Sequence, residues 1–100
     1  MEISIINEND KCIIKQTGRL NAVNSDELNK VIEESLNNGV KNIILDFKNV
    51  EYIASSGLRI LLITKKRLMY NGNFEIINVS DSVKEIFDVT GFSEIFNIGG

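Results

Sequence analysis

The chain has no histidine and no proline, one cysteine and seven glycines in 100 residues. Without histidine it lacks the commonest general base and the commonest metal ligand at neutral pH. A single thiol, Cys12, excludes an internal disulfide and any site built from several thiolates. The absence of proline and the scarcity of glycine argue against a disordered linker or a low-complexity tail. Positive charge is also short: the net charge is −3 and the pI about 4.9, which argues against a nucleic-acid partner. Long apolar runs are missing. The longest is Ile60-Leu61-Leu62-Ile63, far below the ~18 residues that span a bilayer, so direct membrane insertion is not expected. Met1-Glu2-Ile3-Ser4 carries no basic stretch ahead of an apolar one. The expected location is therefore cytoplasmic, with a peripheral role beside a membrane complex left open.

The balance that remains is ordinary for a globular protein, at 43% hydrophobic and 25% charged residues. The length suits one domain, residues 1–100, burying roughly 60–70% of its unfolded surface. Ile3, Ile5 and Ile6 begin a short strand, Asn7-Glu8-Asn9-Asp10 reads as a turn, and Cys12–Thr17 as a second strand that Gly18 ends. Leu28, Val31, Ile32 and Leu36 form one apolar stripe on a helix over 24–38. Asn24 is its expected N-cap, in capping-box register with Glu27, with Asp26 and Glu27 in the first turn and Asn38-Gly39 as the stop. Ile43-Ile44-Leu45 suits a strand covered on both faces, and Asn49–Ala54 is an irregular connection with Val50 and Ile53 buried.

A second helix is expected over Ser55–Tyr70, apolar nearly all round in its first half, with Lys65-Lys66-Arg67 at its negative dipole end. A strand over Phe74–Val79 and a short helix over Ser82–Val89, capped by Ser82 with Glu85, follow. Phe92, Ile95, Phe96 and Ile98 then dock on the sheet. Tyr52 and Tyr70 read as packing residues, and Cys12 as core. The fold class is α/β: one domain with a small mixed β-sheet and helices packed mainly on one face.

Ala54-Ser55-Ser56-Gly57-Leu58 is the informative stretch, where a loop becomes a buried helix. The plain reading makes Ser55 or Ser56 the N-cap, at about 1 kcal/mol. The functional reading uses the same electrostatics. A helix N-terminus tolerates an anion, so a phosphate there adds −1.5 to −2 charges without damaging the fold. Gly57 keeps a large side chain from blocking access.

Here the sequence resembles the STAS-domain family, the fold of bacterial anti-sigma-factor antagonists and of sulphate-transporter tails. Thr17-Gly18-Arg19-Leu20-Asn21 resembles the family's TGxLD element, and Ile43 to Ile53 its hIVLDLxxVxFID strand. Ala54 to Leu58 resembles the DSSGL signature, and Val83 to Gly91 the closing helix. The likeness runs through nearly the whole chain in order. It implies a non-enzymatic antagonist, without cofactor or metal, that binds an anti-sigma factor which is also a serine kinase. The kinase phosphorylates Ser55 (Ser56 is the second candidate), the complex dissociates, and a PP2C-type phosphatase resets it. The partner surface implied includes Asn21, Asn24, Ala54, Ser56, Gly57 and Arg59. A monomer is the simpler expectation.

Three positions depart from the family pattern. Ala54 and Asn21 stand where aspartates are usual, and Arg59 replaces a frequent glycine. Arg59 can pair with a phosphate at Ser55 or simply face solvent. A second implied role is a phosphate-independent accessory subunit of a lipid-transport ABC complex, where the lost carboxylates matter little. Catalysis by the chain ranks last: it has no Walker-type loop, no histidine base and no grouped metal ligands.

Overall fold

In a computed structural model that describes residues 2–96 and 98–99, an N-terminal hairpin opens the chain. Its strands are β1 (Ile3–Glu8) and β2 (Lys11–Leu20), paired antiparallel from Ile3 opposite Gln16 to Glu8 opposite Lys11. Asn9, at φ 57°, turns the corner as asparagine tolerates. The helix α1 (Ala22–Asn37) leads to β3 (Asn42–Ile53), α2 (Ser55–Leu68) to β4 (Asn73–Ile77), and α3 (Asp81–Thr90) to a 3₁₀ turn at Phe92–Glu94 and to β5 (Ile98–Gly99). The sheet order is β1-β2-β3-β4-β5, with every pair after the first parallel. The expected mixed sheet is therefore present.

Strand alternation decides where the helices lie. Cys12 faces Ile43 and Phe74 across the sheet, and Ile14 faces Leu45 and Ile76; all six are buried. Their neighbours Ile13, Ile44, Glu75 and Ile77 point the other way and stay half-buried. One face is thus roofed, by Leu28 and Ile32 of α1, Ile60 and Leu61 of α2, and Val83 and Phe87 of α3. Phe87, Phe92, Phe96 and Phe74 close the far end, with Phe74 and Phe96 edge to face at 5.9 Å. Ile95, expected in that cluster, is 45% exposed. Ile98 pairs through its backbone with Ile76.

Several expected boundaries move, for identifiable reasons. β2 continues past Gly18, whose φ of 93° lets the strand kink instead of stopping. The stretch 49–53 is the second half of β3, not a connection. Phe47 and Lys48 oppose the single Gln16, and Glu51 is an extra residue between Val50 and Tyr52, so two irregularities break the period of two. The first helix starts at Ala22, with Asn21 as N-cap in place of Asn24, and its first turn holds no acidic residue. Ser80, not Ser82, caps α3, accepting from the Val83 amide at 3.4 Å and donating to the Val50 carbonyl at 3.0 Å. α2 ends at Leu68, and β4 at Ile77. Ile63 is 41% exposed and Tyr70 89%, so α2 is less enclosed than its composition suggests and Tyr70 faces solvent instead of packing in the core.

Candidate functional site

β2 and β3 are parallel neighbours, so their carboxyl ends emerge side by side. Leu20 opposes Ile53, both are buried, and the Ala54 amide donates to the Leu20 carbonyl at 3.0 Å. The next residues on each strand, Asn21 and Ala54, are the N-caps of α1 and α2. The topology thereby sets two helix N-termini together at the carboxyl ends of these neighbouring strands, each presenting partial positive charge outward.

The two caps differ in chemistry. At α1 the Asn21 Oδ1 accepts from the Asn24 amide at 3.0 Å, and the Asn21 carbonyl accepts from the Ser25 amide at 2.8 Å. Asn24, expected as the cap, instead donates its side-chain Nδ2 to the Arg19 carbonyl at 2.7 Å. It therefore ties the helix start back to the end of β2. At α2 the cap is Ala54, which has no side chain to offer, and no side-chain hydrogen bond caps the helix. Ser55 and Ser56 are the first two helical residues, so the expectation that one of them is the N-cap is corrected. The register moves the hydroxyls one step too far along the chain to fold back onto the helix start. Ala54 contributes through its carbonyl, which accepts from Gly57 at 2.9 Å and Leu58 at 3.1 Å.

Ser55 is exposed and Ser56 half-buried. Gly57 is buried, and a Cβ there would lie 2.7 Å from Ile53 Cγ1 and 3.0 Å from Leu20 Cδ2. Its smallness lets α2 sit directly on the ends of β2 and β3. The expectation that Gly57 faces a partner and keeps the approach open gives way to this inward, packing role.

Arg59 is exposed, one turn beyond Ser55 on the same face of α2. With Ser56, Ile60 and Ile63 they form one wall of a groove of about 560 Å³, and Asp26 and Asn29 of α1 form the other. The groove thus holds one cation, one carboxylate, neutral polar groups and an apolar floor. In the sequence Asp26 reads only as a helix-start acid, and Asn29 is not singled out. Nothing local marks either as a wall of this groove, because that relevance comes from the side-by-side packing of α1 and α2, held farther along by an Arg67–Glu33 ion pair. Arg19 and Tyr52, opposite each other at the ends of β2 and β3, form a cation–π pair at 4.6 Å; Tyr52 is 38% exposed. Among the described residues no cluster of three potential metal ligands occurs, and no helix is long and apolar enough to cross a membrane.

Residues 2–99 match the STAS domain family. The chain is 28% identical over 99 residues to the anti-sigma-B factor antagonist of Staphylococcus epidermidis, covering 98% of this chain and 92% of that one. In fold it superposes on the anti-sigma factor antagonist SpoIIAA in its unphosphorylated form with a TM-score of 0.83, at 19% identity, over 99% of this chain and 89% of the other. Against the phosphorylated form of Bacillus SpoIIAA the TM-score is 0.76 at 18% identity, over 99% and 92% of the two chains. A sulfate transporter family protein of Wolinella succinogenes shares the fold at TM-score 0.78 and 19% identity, over 94% and 80%.

Proposed function

We propose, from the premise that this chain belongs to the STAS-domain family, that it is an anti-sigma-factor antagonist switched by phosphorylation of Ser55. Relatives that match 98% and 85% of its length carry the antagonist role in their names. A structural relative is known in phosphorylated and unphosphorylated forms. The observation that carries the reading is the state of the Ser55 hydroxyl. It is exposed at the start of α2 and does not cap the helix, and among the described residues modifying it breaks no hydrogen bond.

In this reading an anti-sigma factor docks across the adjoining starts of α1 and α2, and its hold on the sigma factor is released. The same partner, acting as a serine kinase, transfers the terminal phosphoryl group of ATP to Ser55 Oγ, leaving ADP and a proton. A PP2C-type phosphatase hydrolyses the ester and returns the hydroxyl. The physics sets the scale. Forcing a phosphoserine into an interface without a counter-charge costs several kcal/mol, while moving a population from 1:99 to 99:1 takes ~5.5 kcal/mol. Asn21 and Arg59 border the site, and Ser56 is the second acceptor.

Incubation with ATP and the cognate kinase, followed by intact-mass and peptide analysis, tests the reading. One phosphate on Ser55, with Ser55→Ala bound to the kinase and Ser55→Asp bound weakly, is expected. No phosphate on either serine rejects it.

One feature favours a second reading. Ala54 and Asn21 leave the site without the carboxylates usual there, which suits a phosphate-independent accessory subunit of a lipid-transport ABC complex. Co-purification with an ATPase, unaffected by Ser55→Ala, would select it.

A further inference from the structure

The strand order advances by one place at each parallel crossover, so right-handed connections carry α1, α2 and α3 to the same side of the sheet. Among the described residues no helix lies on the other side. Parallel strands are ordinarily covered on both faces. Here the open face carries Ile6, Ile13 and Ile44 in one row across β1, β2 and β3, with Ile77 of β4 in the adjoining row. Ile6 is 40% exposed and the other three are half-buried. Adjoining apolar side chains on an uncovered face mark a contact surface.

The charges beside that row select the partner. In the adjoining row Lys15 of β2 stands opposite Asp46 of β3, yet no ion pair joins them among the described residues. The carboxylate is held in place from one side. Asp46 Oδ1 accepts from the Lys48 amide at 3.1 Å and from Asn78 Nδ2 at 3.2 Å.

We infer that the open face binds a second copy of this chain, face to face, about a two-fold axis that runs along the strands between β2 and β3. That axis lays β2 of each copy over β3 of the other, at the ~10 Å spacing of packed sheets. Ile13 then meets Ile44 of the second copy and Lys15 meets its Asp46, and symmetry makes each contact twice. An axis across the strands, through the isoleucine row, would instead set Lys15 against Lys11 of the second copy, a repulsive pairing. The pattern of charge therefore favours the first arrangement. Its footprint is roughly 19 Å by 17 Å, about 300 Å² per copy. Standard interfaces bury about 800 Å² per partner, so the pair is weak and concentration-dependent. The monomer expected from the sequence is its dilute state. Both copies point their strand carboxyl ends the same way, so the two Ser55 sites emerge at one end of the pair. The face lies apart from the Ser55 groove, and the pairing stands or falls without the phosphorylation switch.

Sedimentation equilibrium of the intact chain at low salt, up to about 1 mM, tests the pairing. Reversible dimers are expected. Lys15→Glu alone, or Asp46→Lys alone, sets like charges together twice and should weaken association about tenfold or more. An equimolar mixture of the two variants should associate again, because each copy then meets the opposite charge at both positions. A wild-type chain that stays monomeric throughout overturns the inference and leaves the face to a different protein. Dimers that neither charge reversal weakens, or that mixing does not restore, also overturn it and put the contact on another surface, such as the free edge of β1. Circular dichroism checks that each variant folds. Should one fail to fold, concentration-dependent amide shifts of the wild type decide. Shifts at Ile13 and Ile44 support the pairing, and shifts confined elsewhere, or none, overturn it.

Discussion

The Ala54 amide donates to the Leu20 carbonyl at 3.0 Å, and this bond brings the start of α2 beside the start of α1. Everything the site offers follows from it: two helix N-termini side by side at the strand ends, a capped Asn21, an uncapped Ala54, and Ser55 in the open. A serine that capped α2 could be phosphorylated only by giving up its cap, whereas Ser55 holds none.

That difference is measurable in stability. Ser55→Ala and Ser56→Ala should each change the unfolding free energy by less than about 0.5 kcal/mol. Ala54→Ser or Ala54→Asp should stabilise by about 0.5–2 kcal/mol, because each supplies the missing cap. Urea unfolding checks both. A loss of ~1 kcal/mol in Ser55→Ala would restore the serine to a capping role.

At α1 the order reverses. Asn21→Ala should cost about 1 kcal/mol, since Asn21 Oδ1 satisfies the Asn24 amide. Asn21→Asp, which reinstates the carboxylate usual in the family, should keep the cap and add about 0.3–1 kcal/mol from the helix dipole at low salt. Thermal melts of the two variants in parallel separate cap from charge.

Gly57→Ala should destabilise by about 1–3 kcal/mol, because the added methyl meets the Ile53 side chain at 2.7 Å. Denaturation gives the number. An unchanged midpoint would mean that Ile53 yields freely and that the close approach of α2 to the strand ends is not enforced.

How much of this was legible beforehand varies by element. The stripe Leu28, Val31, Ile32, Leu36 and the run Ile43-Ile44-Leu45 announced a helix and a covered strand, since burial on one face imposes a period. The second half of β3 was not legible. Its extra residues shift Val50 and Ile53 off the strand period, and Lys48 and Asn49 resemble a turn. The caps slipped by a few residues at Asn24, Ser55 and Ser82 for a shared reason: composition marks a helix start, but only the strand it leaves fixes the register. The stretch Ala54–Leu58 was found from sequence. The opposing wall, Asp26 and Asn29, was not, because it arises only when α1 and α2 pack.

With a phosphoserine at position 55, as proposed, Arg59 and Asp26 should act on the phosphate in opposite senses. A cation one turn away favours the dianion and lowers its second pKa from ~6, while the carboxylate raises it. Arg59→Gln should therefore move a ³¹P titration to higher pH and Asp26→Asn to lower pH, with phosphoserine installed directly at position 55. Superimposable titrations of all three proteins would mean that Arg59 only faces solvent.

The most direct measurement is the affinity of the unmodified and the Ser55-phosphorylated chain for the cognate anti-sigma factor, compared at one ionic strength. The account predicts binding weaker by roughly a thousandfold after phosphorylation, the equivalent of ~4 kcal/mol, with the fold unchanged by circular dichroism. Equal affinities for the two forms would contradict it.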